Sequence, residues 1–152
     1  MKQMTLDLKP FDSRPIVKLK NFFGIDALLD TGAVIPVWTD DEDILQSFGG
    51  VKVRENAQFG GFGGKTAGNL YHIPTFTVGG LTFPNLPVVA ARMNLPCYMI
   101  LSATMFSRLI YEVDDYHHKL NLTIPEGEPT VRVIKDCTVN GRLKIVLANE
   151  QP

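Results

Sequence analysis

One short stretch, Leu28-Leu29-Asp30-Thr31-Gly32-Ala33, constrains this chain more than any other. An apolar run that stops abruptly at Asp-Thr-Gly reads as a buried strand delivering a carboxylate onto a tight turn. Leu28 and Leu29 anchor the strand, and Gly32 lets backbone approach backbone closely. The stretch occurs once. Among the 152 residues there is no second Asp-Thr-Gly and no Asp-Ser-Gly.

Strand signals dominate the rest. Apolar or alternating runs fall at Thr5–Leu8, Ile16–Leu19, Gly24–Leu29, Val34–Val37, Val51–Val53, Tyr71–Val78, Leu81–Phe83, Pro87–Ala91 and Tyr98–Leu101. Others follow at Leu109–Val113, Lys119–Ile124, Val131–Val139 and Arg142–Ala148. Gly, Pro and Asn punctuate them at short intervals, which predicts an all-β barrel or sandwich. Two helices interrupt the pattern. One opens at Thr39-Asp40-Asp41-Glu42, a Thr-x-x-Glu capping box with acids in its first turn, and stops at Gly49-Gly50. A short one lies near Ala103–Arg108. Beyond the polar break Pro125-Glu126-Gly127-Glu128-Pro129, the tetrapeptide Val139-Asn140-Gly141-Arg142 is a two-residue hairpin signal. Residues 130–148 therefore read as a β-hairpin added to the core. The expected organisation is one domain over residues 1–124, N-terminal arm included, with a C-terminal extension over 125–152.

Bulk properties exclude several partners. At 45% hydrophobic, 20% charged and net charge −1, the chain gives no electrostatic reason to expect nucleic acid or an anionic membrane. No run approaches the roughly 20 apolar residues of a membrane span, and the N-terminus reads as no export signal. A cytoplasmic location is expected. Cys97 and Cys137 have no metal-ligand spacing and read as reduced packing thiols. His117-His118 falls in a turn between strands, where neighbours point to opposite faces, and Trp38 reads as core.

The second cluster is Phe59-Gly60-Gly61-Phe62-Gly63-Gly64-Lys65-Thr66, four glycines around one aromatic. Gly-Lys-Thr ends a phosphate-binding P-loop, but the first glycine of that motif would fall on Phe59. A P-loop also opens a helix, whereas Thr66–Val78 contains Gly68, Pro74 and β-branched residues. The cluster reads instead as a flap, a glycine-tipped hairpin that folds over a ligand and excludes water.

In this arrangement the chain resembles the retropepsin-like aspartic proteases, single-domain enzymes with one Asp-Thr-Gly-Ala motif per chain. Three elements match in order: the turn Asp30–Ala33, the flap tip Gly60–Gly64, and the apolar run Tyr98-Met99-Ile100-Leu101 leading to a short helix. The strand pairs Leu109–Asp114 and Lys119–Leu122 follow the same pattern. The resemblance spans roughly residues 14–124. It departs in two places. Ile100-Leu101 is followed by Ser102 and Ala103, where the family usually has Gly and retroviral members often then Arg. Val34 and Ile35 stand where retroviral enzymes often carry acids. The two losses are complementary, since removing both partners of an ion pair orphans no buried charge.

The resemblance implies a homodimeric peptidase acting on a peptide or protein. Asp30 from each copy would share one proton, the ionised member activating a water and the protonated member polarising the scissile carbonyl. Neither metal nor cofactor is required. Thr31 would hydrogen-bond across the two-fold axis, and Gly32 and Ala33 would offer backbone to a peptide bound as an added strand. Gly60, Gly61, Phe62, Gly63 and Gly64 would close over it, with Val34 and Ile35 as an apolar floor. The competing reading is a domain of the same fold that binds or scaffolds a protein without cutting it.

Overall fold

The computed structural model describes residues 1–61 and 64–148. Its strands, in chain order, begin with β1 (Lys2–Asp7), β2 (Ile16–Leu19), β3 (Ile25–Asp30) and β4 (Val37–Trp38). Helix α1 (Glu42–Ser47) precedes β5 (Val51–Gly61), β6 (Gly64–Val78), β7 (Leu81–Ala90) and β8 (Met99–Ser102). A 3-10 turn, Ala103–Phe106, leads to β9 (Ile110–Asp114), β10 (Lys119–Ile124), β11 (Ile134–Val139) and β12 (Arg142–Leu147). The protein is mostly β, as its strand punctuation predicts. The strands form three open sheets rather than one closed barrel: a seven-stranded sheet ordered β2-β3-β8-β4-β7-β6-β5, a three-stranded β1-β10-β9, and the two-stranded β11-β12.

The centre of the large sheet explains why the Leu-Leu-Asp run is so apolar. Strand β3 is antiparallel to β2 on one side and parallel to β8 on the other. Ala27 and Leu29 on β3 and all four residues of β8 are buried. The short β4 then fits between β8 and β7, antiparallel to the first and parallel to the second. Only Val37 and Trp38 of the apolar run starting at Val34 therefore join a ladder. Trp38 is fully buried, and its indole nitrogen donates to the Asp41 carbonyl at 2.9 Å, so its polar atom costs nothing.

Strands β5 and β6 make a long antiparallel hairpin. Its register slips between Lys52 and Ala57, where Asn56 has φ 54° and its amide donates to the Asn69 side chain at 3.3 Å. Such a bulge bends and twists the arm beyond it. Gly68 passes so near β7 that a Cβ there would stand 2.4 Å from the Ala90 carbonyl oxygen. The two short runs expected at Leu81–Phe83 and Pro87–Ala91 are one strand, β7. Both of its prolines lie within the β6 register, Pro84 opposite Thr75 and Pro87 opposite His72.

Two local expectations are corrected. Helix α1 is capped by Asp41, whose carboxylate accepts from the Asp43 amide at 3.0 Å, rather than by Thr39. The Thr39 hydroxyl is buried and donates to the Cys97 carbonyl at 2.9 Å, fastening the chain to the entry of β8 instead. The second helix is only a single 3-10 turn, ending before Ser107.

Beyond Ile124 the chain returns to the core. Thr82 donates to the Thr130 carbonyl at 3.0 Å and Arg132 donates back to Thr82 at 2.8 Å, so this segment extends the start of β7. The β11–β12 turn has φ 53° at Asn140 and φ 76° at Gly141, the left-handed pair that an Asn-Gly hairpin requires. Ile134, Leu143, Ile145 and Leu147 are buried in the same cluster as the rest of the core. The hairpin lies against β5, β7 and the 3-10 turn. No helix of the described residues is long and apolar enough to cross a membrane.

Candidate active site

The end of β3 becomes a turn at Asp30, where the Ala33 amide donates to the Asp30 carbonyl at 3.1 Å. Within that turn, Asp30 Oδ1 accepts from the Gly32 amide at 2.9 Å. Space favours the glycine. A Cβ on residue 32 would stand 3.3 Å from that same oxygen, tighter than ordinary van der Waals contact. Asp30 is half-buried, and among the described residues its Oδ2 accepts no hydrogen bond.

The loop after the turn is held from behind. The Ala33 carbonyl accepts from the Ala103 amide at 3.0 Å, and the Val34 carbonyl accepts from the Thr104 hydroxyl at 3.2 Å. Pro15, at the start of β2, accepts from Leu29 at 3.0 Å on the other side. Asp30 therefore sits on a rigid element clamped by β2 and β8, with a backbone that cannot drift far.

A cleft of about 160 Å³ opens at this point, lined by Asp30, Gly32, Ala33, Val34, Ile35, Val37, Phe59 and Gly60. Five expected site residues of the turn and its sequel are thus brought together with one from the glycine cluster. Thr31 is exposed at the turn's apex and does not line the cleft. Val34 is exposed and Ile35 buried, so the two present an apolar edge and an apolar base respectively. Phe62 and Gly63 lie outside the described residues. Gly61 and Gly64 are paired as the last rung of the β5–β6 ladder.

Phe59 is the wall that sequence reasoning passed over. It is fully buried and shares the inward face of β5 with Ala57. The period-two pattern of Ala57, Phe59 and Gly61 was the available signal. Ser102 was noted only as a departure from a pattern; it pairs directly with Asp30 in the parallel register of β3 and β8.

No protein-family model matches the chain. No curated protein matches it in sequence either. Among solved structures it is similar to a retropepsin-like aspartic protease from Rickettsia conorii, with a TM-score of 0.54 and 16% identity over 80% of this chain and 89% of that one. At that identity the likeness speaks to architecture, and the chain has a retropepsin-like fold.

Proposed function

We propose that this chain is an aspartic endopeptidase that works as a homodimer, with Asp30 of each copy forming the catalytic dyad. The observation that carries the reading is the cleft itself. A carboxylate with one oxygen held by the Gly32 amide and the other unengaged faces a small, mostly apolar space. The base of a glycine-tipped hairpin borders that space.

One carboxylate cannot divide the labour of base and acid, which is why the reading calls for a second copy. Two like charges held close share a single proton and titrate as a pair. The ionised member takes a proton from water as the oxygen attacks the peptide carbonyl. The protonated member donates a hydrogen bond to the developing oxyanion; the proton taken from water is then passed to the peptide nitrogen, and collapse of the tetrahedral species releases the amine. Val34, Ile35, Val37 and Phe59 favour apolar side chains on either side of the cut bond, and the β5–β6 tip would act as the flap that excludes water. Thr31, exposed at the apex, is available to a neighbouring copy.

The test is cleavage of an apolar peptide library by purified protein, run across pH, beside Asp30→Ala. The variant should lose cleavage while keeping the circular dichroism spectrum of the parent. Cleavage that survives the substitution would sink the proposal.

A further inference from the structure

Ser102 closes β8 with no solvent exposure, and its hydroxyl is buried without a hydrogen-bond partner. Such groups are uncommon, because a stranded donor forfeits the hydrogen bond it would make to water. The parallel register sets Ser102 directly opposite Asp30. Residues facing each other in a parallel pair project to the same side, from strands about 4.8 Å apart. As placed, Ser102 Oγ bonds neither carboxylate oxygen of Asp30, so reaching an acceptor on the neighbouring side chain requires the serine to turn about its Cα–Cβ bond to another staggered rotamer. Asp30 supplies one: Oδ1 is already held by Gly32, while Oδ2 accepts nothing among the described residues.

We propose that Ser102 is a positioning residue for the peptidase reaction, donating its hydroxyl hydrogen to the Asp30 carboxylate when that group is ionised. This rests on the aspartic-peptidase reading and adds to it a role for a residue outside the Asp-Thr-Gly turn. The hydroxyl then fixes the rotation of the carboxylate and favours its charged form, because a hydrogen bond to an anion is stronger than one to a neutral acid. Little else competes for control of that charge. Asp30 is the only titratable group among the described residues lining the cleft. Strand β8 and the 3-10 turn carry no charged side chain. On the β2 side, Arg14 is held by Asp12 at 3.1 Å, and Lys18 pairs with Asp26 in the ladder, toward the far end of β3.

Two readouts test this, using the whole chain with Ser102→Ala and Ser102→Gly. The first is the pH dependence of kcat/KM for peptide cleavage. Loss of the donor should move the acid limb upward by about one pH unit, a roughly tenfold loss of rate below that limb. The second needs no activity: melting temperatures of parent and Ser102→Ala at about pH 7 and about pH 3.5, either side of an ordinary aspartate. A donor engaged with Asp30 predicts a drop in melting temperature on substitution that is larger at the higher pH. An idle buried hydroxyl predicts the opposite, a variant as stable as the parent or more so at both values, with an unmoved rate profile. That result overturns the inference. A parent protein that cleaves nothing overturns the peptidase reading instead, and the melting comparison then decides the role of Ser102 alone.

Discussion

Two acid-bearing turns follow central strands of the large sheet, and they come to opposite ends. After β4, the run Asp40–Asp43 borders a depression larger than the one beside Asp30, about 360 Å³ against 160 Å³. Its Asp41 and Glu42 carboxylates are nonetheless occupied by the fold. Asp41 caps α1. Glu42 accepts from the Tyr71 hydroxyl at 2.6 Å and from Asn69 at 3.0 Å. These donors hold the Glu42 carboxyl below its usual range, the Asn69 contact contributing most. Burial, aided by Glu42, pushes the Tyr71 phenol up to about 12. After β3, Asp30 keeps an oxygen free. Carboxylates whose lone pairs are consumed by neighbouring donors build structure, whereas Asp30 is positioned without being saturated, which is why the proposed chemistry is assigned to it. Cavity size and charge density alone would favour the other turn.

Removing the carboxylate in each place breaks the comparison most sharply. Asp30→Asn should abolish peptide cleavage and leave urea unfolding nearly unchanged, whereas Asp41→Ala should keep cleavage. Next in size is Gly32→Ala, whose new methyl crowds Asp30 Oδ1; misplacing a catalytic group in this way lowers kcat by up to about 100-fold, read in the same peptide assay. Tyr71→Phe orphans the pairing of Glu42 and Gln46 and should cost about 1–2 kcal/mol in urea denaturation with cleavage intact. Asp41→Ala should cost about 1 kcal/mol by the loss of its cap. The smallest effect concerns an acid outside both turns. Asp7 lies between Lys119 and Lys20, chiefly through hydrogen bonds to them, and its carboxyl is lowered to about 2. Since the folded value lies below the unfolded one near 3.8, its contribution is present above pH 4 and disappears as pH falls toward 2. Asp7→Asn should flatten a modest acid-side fall in melting temperature, measured by calorimetry in low salt.

The same contrast explains what the sequence discloses. Leu28, Leu29 and Asp30 are legible because Ile25, Ala27 and Leu29 bury one face of β3 and Leu28 packs on the core, so a carboxylate ending that apolar run is conspicuous. The Asn140-Gly141 turn is legible because few residues tolerate two successive left-handed conformations. Thr39 and Asp41 are both competent caps, and which one serves depends on Cys97, a residue distant in sequence, drawing the threonine away. The cleft wall at Phe59 and the pairing of Asp30 with Ser102 are set by the bulge at Asn56 and by strand order. Phe59 leaves only a period-two alternation with Ala57, and the Ser102 pairing leaves no local trace. Burial of the C-terminal hairpin against β5 and β7 is likewise a matter of which faces meet, not of composition.

The pairing of β3 with β8 has a consequence in time as well as in space. These strands are parallel and lie on either side of most of the β5–β7 sheet in the chain, so their union must wait until the intervening segment has been made and folded back. Long-range parallel pairing is among the slower steps open to a folding chain, since loop closure precedes its reward. The Asp30 turn is clamped only when Ser102 and Ala103 arrive. On the proposed peptidase reading, cutting is therefore withheld from the nascent chain until its core is closed.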